Sequence, residues 1–282
     1  MAVKRPTISR TSDDVVKVRR SYFDCRFGQL HVRTAFPSNG GFDEQTTLVC
    51  FHASPASSRA YTRFLPQIAT DRSVYAPDTP GFGESDPPPA KPAIADYAAA
   101  MGDFLDQMRF RQVDLMGYHT GALIAAELAI QKPEQVRRVV LTALPLFSAQ
   151  ERESYHRQNH TPVLSDDGSH LVREWQRTLE YRGAGMTLEN AAEGFAEKLR
   201  NGPNAWWGAS ASHQYAANER LPLVKQPVLL LRPKDHTWEL TAQARQLLRG
   251  VKVVDLPDFG FGVLDVAPGV VAQHVRAFLN AG

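Results

Sequence analysis

The side chain best placed to do chemistry is the imidazole of His119, at the centre of Gly117-Tyr118-His119-Thr120-Gly121. Gln112–Met116 before it reads as a short buried strand, and Ala122–Lys132 after it as a helix. Two glycines about the middle of a strand–turn–helix make the frame of a Gly-x-Ser-x-Gly nucleophile elbow. The turn is strained, its neighbours come close, and its central side chain is held up at the end of a sheet. Histidine stands here in place of serine. Such an imidazole can act as a general base or as a nucleophile. It can also sit buried and hydrogen-bonded in an inert site. Base ranks above nucleophile, because an acyl-imidazole is itself labile. No metal is expected, since no second histidine or carboxylate lies at ligand spacing near His119.

The elements that must position this residue follow from periodicity. Val15–Asp24 and Gln29–Phe36 alternate apolar and polar residues around Arg26-Phe27-Gly28, which predicts a hairpin. Short apolar runs at Thr47–His52, Ser73–Ala76, Val136–Thr142, Pro227–Leu231 and Val251–Leu256 predict buried strands. Helical spacing falls at Arg59–Ala69, Ala93–Arg109, Leu240–Arg249 and Val266–Leu279. Asp78–Pro92 is too rich in glycine and proline for regular structure. Residues 147–221 lack strand runs and carry helical patterns and many aromatics. The expected fold class is therefore α/β: a mostly parallel, doubly wound sheet with an inserted helical cap. The core would comprise 15–146 and 222–282, the cap 147–221, and a flexible tail 1–14. Ligands of such sheets bind beyond the carboxyl ends of the strands, where the His119 turn falls.

Composition narrows the function classes. The chain has 282 residues, 43% hydrophobic and 22% charged, with a net charge of +2. No general electrostatic attraction to nucleic acid or anionic lipid follows from that balance. The basic residues Lys4, Arg5, Arg10, Lys17, Arg19 and Arg20 read as a solvated tail and a strand edge. No apolar run follows Met1, so no secretory signal is expected. No stretch approaches the ~20 apolar residues of a membrane span. Cys25 and Cys50 read as separate buried thiols in a reducing cytoplasm.

Three motifs, in this order and spacing, carry a family resemblance. They are Phe51-His52-Ala53-Ser54-Pro55, Asp78-Thr79-Pro80-Gly81-Phe82-Gly83-Glu84-Ser85 and the turn at 117–121. Over about residues 18–281 the chain resembles the α/β-hydrolases, in particular the capped branch of epoxide hydrolases, haloalkane dehalogenases and carbon–carbon bond hydrolases. The resemblance implies a triad in the chain order nucleophile, acid, histidine. Asp235, closing Leu229-Leu-Leu-Arg-Pro-Lys-Asp235, takes the acid position, and Phe261 stands where the triad histidine belongs. The oxyanion hole implied is made by the backbone N–H groups of Ser54 and Thr120. Imidazole is much longer than a serine hydroxymethyl, so His119 is expected to span the vacated space to Asp235 and form a dyad.

That combination predicts a hydrolase acting on a small, apolar ester or carbonyl compound, without a cofactor. Tyr118 and Phe261 are expected beside the substrate. Cap aromatics Trp175, Tyr181, Phe195, Trp206, Trp207 and Tyr215 would fill the cap core or make the cleft apolar. His52 is expected to brace the oxyanion loop, and His236 to face solvent or serve as a displaced base. Any of His156, His160, His170 and His213 could reach the pocket from the cap. Two alternatives stay open: a catalytically inactive binder of a hydrophobic ligand, and a cofactor-free lyase or oxygenase.

Overall fold

The computed structural model describes residues 16–38, 45–156 and 164–281. The chain opens with a hairpin, β1 (Arg19–Cys25) and β2 (Gly28–Ala35). It continues through β3 (Leu48–Phe51), α1 (Leu65–Ile68), β4 (Val74–Pro77), α2 (Ile94–Gln107), β5 (Val113–Tyr118), α3 (Thr120–Gln131) and β6 (Val136–Thr142). Between β6 and the next strand lie α4 (Ala149–His156), α5 (Ser169–Glu180), α6 (Leu188–Arg200), α7 (Trp207–Gln214) and α8 (Ala217–Arg220), with no strand among the described residues there. β7 (Val228–Pro233), α9 (Trp238–Ala244), β8 (Lys252–Leu256), α10 (Val263–Val266) and α11 (Pro268–Leu279) complete the chain.

The strands form one 8-stranded sheet in the order β1-β2-β4-β3-β5-β6-β7-β8. β1–β2 and β2–β4 are antiparallel, and all the other pairs are parallel. The mostly parallel sheet expected from the sequence is what the structure shows. Helices cover both faces, which is why the central strands are continuous apolar runs. Along β7 the period-2 alternation sends Leu229 and Leu231 to the face covered by α1 and α11, and Leu230 to the face covered by α2 and α3.

Three expected helices are shortened or divided. Arg59–Ala69 holds only a 3-10 turn (Ser58–Tyr61) and the brief α1. Pro66 inside it cannot donate the i→i−4 bond that a continuous helix needs. The closing helix divides at Ala267 (φ −136°, ψ 45°), because Pro268 is fitted to open α11 and not to continue α10. Leu240–Arg249 is regular only over α9, which starts earlier and ends at Ala244. The tail over 1–14, Gly40-Gly41 and His160 lie outside the described residues.

Candidate active site

The turn between β5 and α3 puts His119 in the left-handed region (φ 50°, ψ −116°), where non-glycine residues rarely sit. It is held there because the His119 N–H donates to the Thr142 carbonyl at 3.1 Å and its carbonyl accepts from Ala122 at 2.8 Å. Both flanking glycines are sterically required. A Cβ on Gly117 would overlap the Gly121 carbonyl, and one on Gly121 would overlap the Phe51 carbonyl.

From this turn the imidazole reaches the loop after β7. His119 Nε2 and Asp235 Oδ2 are 2.9 Å apart, with the two side chains 10% and 2% exposed. Asp235 Oδ1 accepts from the Thr237 N–H (2.8 Å) and hydroxyl (2.7 Å). Burial alone would raise the Asp235 carboxyl. The hydrogen bond and charge of His119, with the Thr237 bonds, outweigh it and hold the group below the usual carboxylate range. An ionised carboxylate only accepts, so Nε2 carries a proton, and in the neutral ring Nδ1 holds the lone pair. Nδ1 makes no hydrogen bond among the described residues.

Phe261 packs beside the dyad and not within it, its ring 5.8 Å from the His119 ring. His236 stacks on His119 at 5.1 Å with planes 23° apart, and meets Tyr181 edge-on at 5.7 Å. Burial first, and then the neighbouring His119 charge, press the His236 pKa down. The residue remains accessible at the surface, as expected, while its ring lies against the dyad, a contact that its adjacency to Asp235 only hinted at. A cavity of about 520 Å³ adjoins this group. It is lined by Asp235, His236, Tyr181 and Phe261 and also by Arg182 and Lys234, so its wall is more polar than the sequence led one to expect.

Tyr118 does not present its hydroxyl to this cavity. The side chain is 4% exposed, and its hydroxyl is buried without a partner of hydrogen-bond geometry. The Gly262 N–H is near enough to favour the ionised phenol slightly, but burial, followed by the Asp235 charge, raises its pKa far above the usual value. Successive residues of a strand point to opposite faces, so the neighbour of His119 is turned into the core.

The Ser54 and Thr120 N–H groups donate to no acceptor among the described residues. Both residues lie under α7. Ser212 Oγ donates to Thr120 Oγ1 at 3.0 Å, and a Cβ on Gly208 would overlap Ser54 Oγ. His52 accepts the Thr79 N–H on Nε2 (2.8 Å) and donates from Nδ1 to the Ala53 carbonyl (2.9 Å), which braces the loop before Ser54.

Several of the other aromatic and histidine residues have structural partners. Trp175 packs on Phe195, and the Tyr215 hydroxyl bonds Glu127. His213 is sandwiched between Phe147 and Tyr155, and His170 bonds Ser165 at the start of α5. The His156 side chain is outside the described set. Among the described residues no group of three potential metal ligands occurs, and no helix is long and apolar enough to cross a membrane.

Residues 46–226 match the family model described as the alpha/beta hydrolase fold. The chain belongs to the α/β-hydrolase fold family. It is 22% identical over 262 residues to a Bacillus subtilis (strain 168) protein with the provisional name 2-succinyl-6-hydroxy-2,4-cyclohexadiene-1-carboxylate synthase, covering 86% of this chain and 93% of that one. It is 39% identical over 103 residues to 2-hydroxymuconate semialdehyde hydrolase of Pseudomonas sp. (strain CF600), a match to 33% of this chain and 35% of the relative. Among solved structures, the enol-lactonase from Burkholderia xenovorans LB400 superposes with a TM-score of 0.76 at 16% identity, over 93% of this chain and all of that one, a likeness of fold.

Proposed function

We propose that this chain is a hydrolase of small, largely apolar ester or carbonyl compounds, in which His119 and Asp235 replace the Ser-His-Asp triad. The observation that carries the proposal is the 2.9 Å His119 Nε2–Asp235 Oδ2 bond, made past Phe261 and leaving Nδ1 as the basic nitrogen. Covalent geometry favours Nδ1. It is separated from Cβ by one atom, so it lies near the place a serine oxygen would take on the same turn.

In this reading Nδ1 removes a proton from water as its oxygen adds to the carbonyl carbon. Electrons of the C=O bond move to oxygen, and the oxyanion is met by the Ser54 and Thr120 N–H groups. The N-terminal end of α3 adds a favourable partial charge. As the tetrahedral adduct collapses, the bond to the leaving group breaks, and Nδ1–H returns the proton to it. Asp235 stabilises the imidazolium throughout. The helices between β6 and β7 act as a cap, with α7 walling the two oxyanion donors and the rings of Tyr181 and Phe261 offering the apolar contacts in an otherwise polar cavity beside Asp235.

Turnover of acyl esters, lactones and diketones by wild type and His119→Ala tests this. The proposal expects loss of turnover in the variant, and activity unchanged by the substitution sinks it. A second reading, abstraction of a carbon-bound proton followed by elimination, draws on one observation. The relative matching over most of both chains is named a synthase and not a hydrolase. Deuterium uptake into substrate without hydrolysis would favour this second reading.

A further inference from the structure

The loop carrying Ser54 is gripped from two sides. It turns through Ala53–Ala56, closed by the Ala56 N–H on the Ala53 carbonyl at 2.9 Å. From the core, His52 braces its start, and Asp78 Oδ1 accepts the Ser58 N–H at 2.7 Å. The opposite grip comes from the end of α6. Asn201 Nδ2 donates to the Pro55 carbonyl at 2.7 Å, and its Oδ1 accepts the Gly83 N–H at 3.3 Å. One helical turn earlier, Glu197 accepts from Ser57 Oγ at 2.6 Å and from Arg59 Nε at 2.7 Å. Positions four apart share one face of a helix, so both side chains reach the same loop.

This face is not an ordinary solvated one. Glu197 is 8% exposed and Asn201 7%. A carboxylate withdrawn from water this far is tolerated only with cationic and hydrogen-bonded partners. Both kinds are supplied by residues three and five positions beyond Ser54. The Pro55 carbonyl belongs to the Pro55–Ala56 peptide, inside the Ala53–Ala56 turn, so the Asn201 bond holds the turn in which the free Ser54 N–H sits.

We infer that Glu197 and Asn201 are positioning residues for the oxyanion site, by which the helices inserted between β6 and β7 set the direction of the Ser54 N–H. The inference rests on the role proposed above for that N–H. Releasing either grip lets the turn shift while the dyad, just beyond the ends of β5 and β7, stays in place. A displacement of ~1 Å at a catalytic group costs up to about a hundredfold in rate.

The test compares Asn201→Ala, Glu197→Ala and Glu197→Gln on an ester that the wild type turns over and on its thionoester counterpart. Sulfur is larger than oxygen and a weaker acceptor, so the ester-to-thionoester rate ratio reports the oxyanion donors. The two alanine variants should lose about tenfold to a hundredfold in kcat on the ester, with KM nearly unchanged and the ratio falling in step. Glu197→Gln, which keeps one acceptor oxygen, should fall between them and wild type. It also serves as the measurement if Glu197→Ala does not fold. Lys198→Ala is the control, since that side chain turns to Glu174 on α5 and not to the loop. Lower thermal stability with an unchanged ratio would make α6 a mere support and overturn the inference. If His119→Ala stays active, the dyad falls while the ratio still reads the grip. If His119→Ala is dead and the ratio holds in the α6 variants, the grip alone falls.

Discussion

Two buried histidine–aspartate pairs lie among the described residues, and their surroundings differ. His31 Nδ1 and Asp78 Oδ2 are 2.8 Å apart; His119 Nε2 and Asp235 Oδ2 are 2.9 Å apart. The contacts are nearly the same. In the first pair, Asp78 also accepts the Ser58 N–H (2.7 Å) and the Glu84 N–H (2.9 Å), and the two residues are 2% and 1% exposed. It pins β2 and the glycine-rich turn together. In both pairs the second imidazole nitrogen makes no hydrogen bond among the described residues; in the second pair the carboxylate is otherwise shared only with the adjacent Thr237, and a cavity adjoins the aspartate. The pair does not make a site by itself. What differs is which imidazole nitrogen is left over and whether a cavity lies beside the pair.

Asp235→Asn should separate the pairs most sharply. Thr237 donates twice to Oδ1, so the amide oxygen will take that position and turn its NH2 toward Nε2. That reverses the imidazole tautomer and removes the lone pair from Nδ1. Turnover should fall by about 10⁴-fold, as for a mis-set tautomer in a serine protease, with melting temperature little changed. Asp78→Asn should behave oppositely. Its NH2 would face backbone or imidazole donors in a sealed site, at a cost of about 3–5 kcal/mol. That is a fall of about 10 °C in melting temperature, with the surviving folded enzyme losing no more than about a hundredfold, the cost of loosening the Ser58 side of the Ser54 loop.

Acid sharpens the same contrast. Burial would raise Asp78, but its bonds to His31, Ser58 and Glu84 and the nearby His52 charge bring it down to about 2. A depressed carboxylate stabilises the fold at pH above its ordinary value, and that contribution drains away as pH falls from about 4 toward 2. The loss is about 2 kcal/mol, to be read from denaturant unfolding across that range, and it should be missing in Asp78→Asn. The smallest effect should come from His236→Phe, which keeps a ring against His119 but removes the second titrating group. Burial, and then the His119 charge, already disfavour protonation of His236, so the pH profile of kcat/KM should keep its shape while maximal kcat changes by less than about threefold.

The sheet was legible because buried parallel strands announce themselves as short apolar runs: β3, β5, β6 and β7 fall within a residue or two of their expected bounds. The divided helices were less so, since Pro66 and Pro268 decide where a helix can start as well as where it must stop. The meeting of His119 and Asp235 could be anticipated from motif order. The orientation of Tyr118 needed only the strand alternation, which adjacency to His119 obscured. The grip of Glu197 and Asn201 was hidden, because polar residues on an amphipathic helix look solvated until the helix is docked. Ser57 and Glu197 are 140 positions apart.

The central claim is that the Nδ1 lone pair of His119 is the reactive base. Chemical rescue of His119→Ala tests it most directly. The truncation leaves room for a free imidazole between the turn and Asp235. The expected variant folds as wild type, has lost turnover, and regains it in proportion to added neutral imidazole. A His119→Ala variant that turns over substrate at the wild-type rate without imidazole would contradict it.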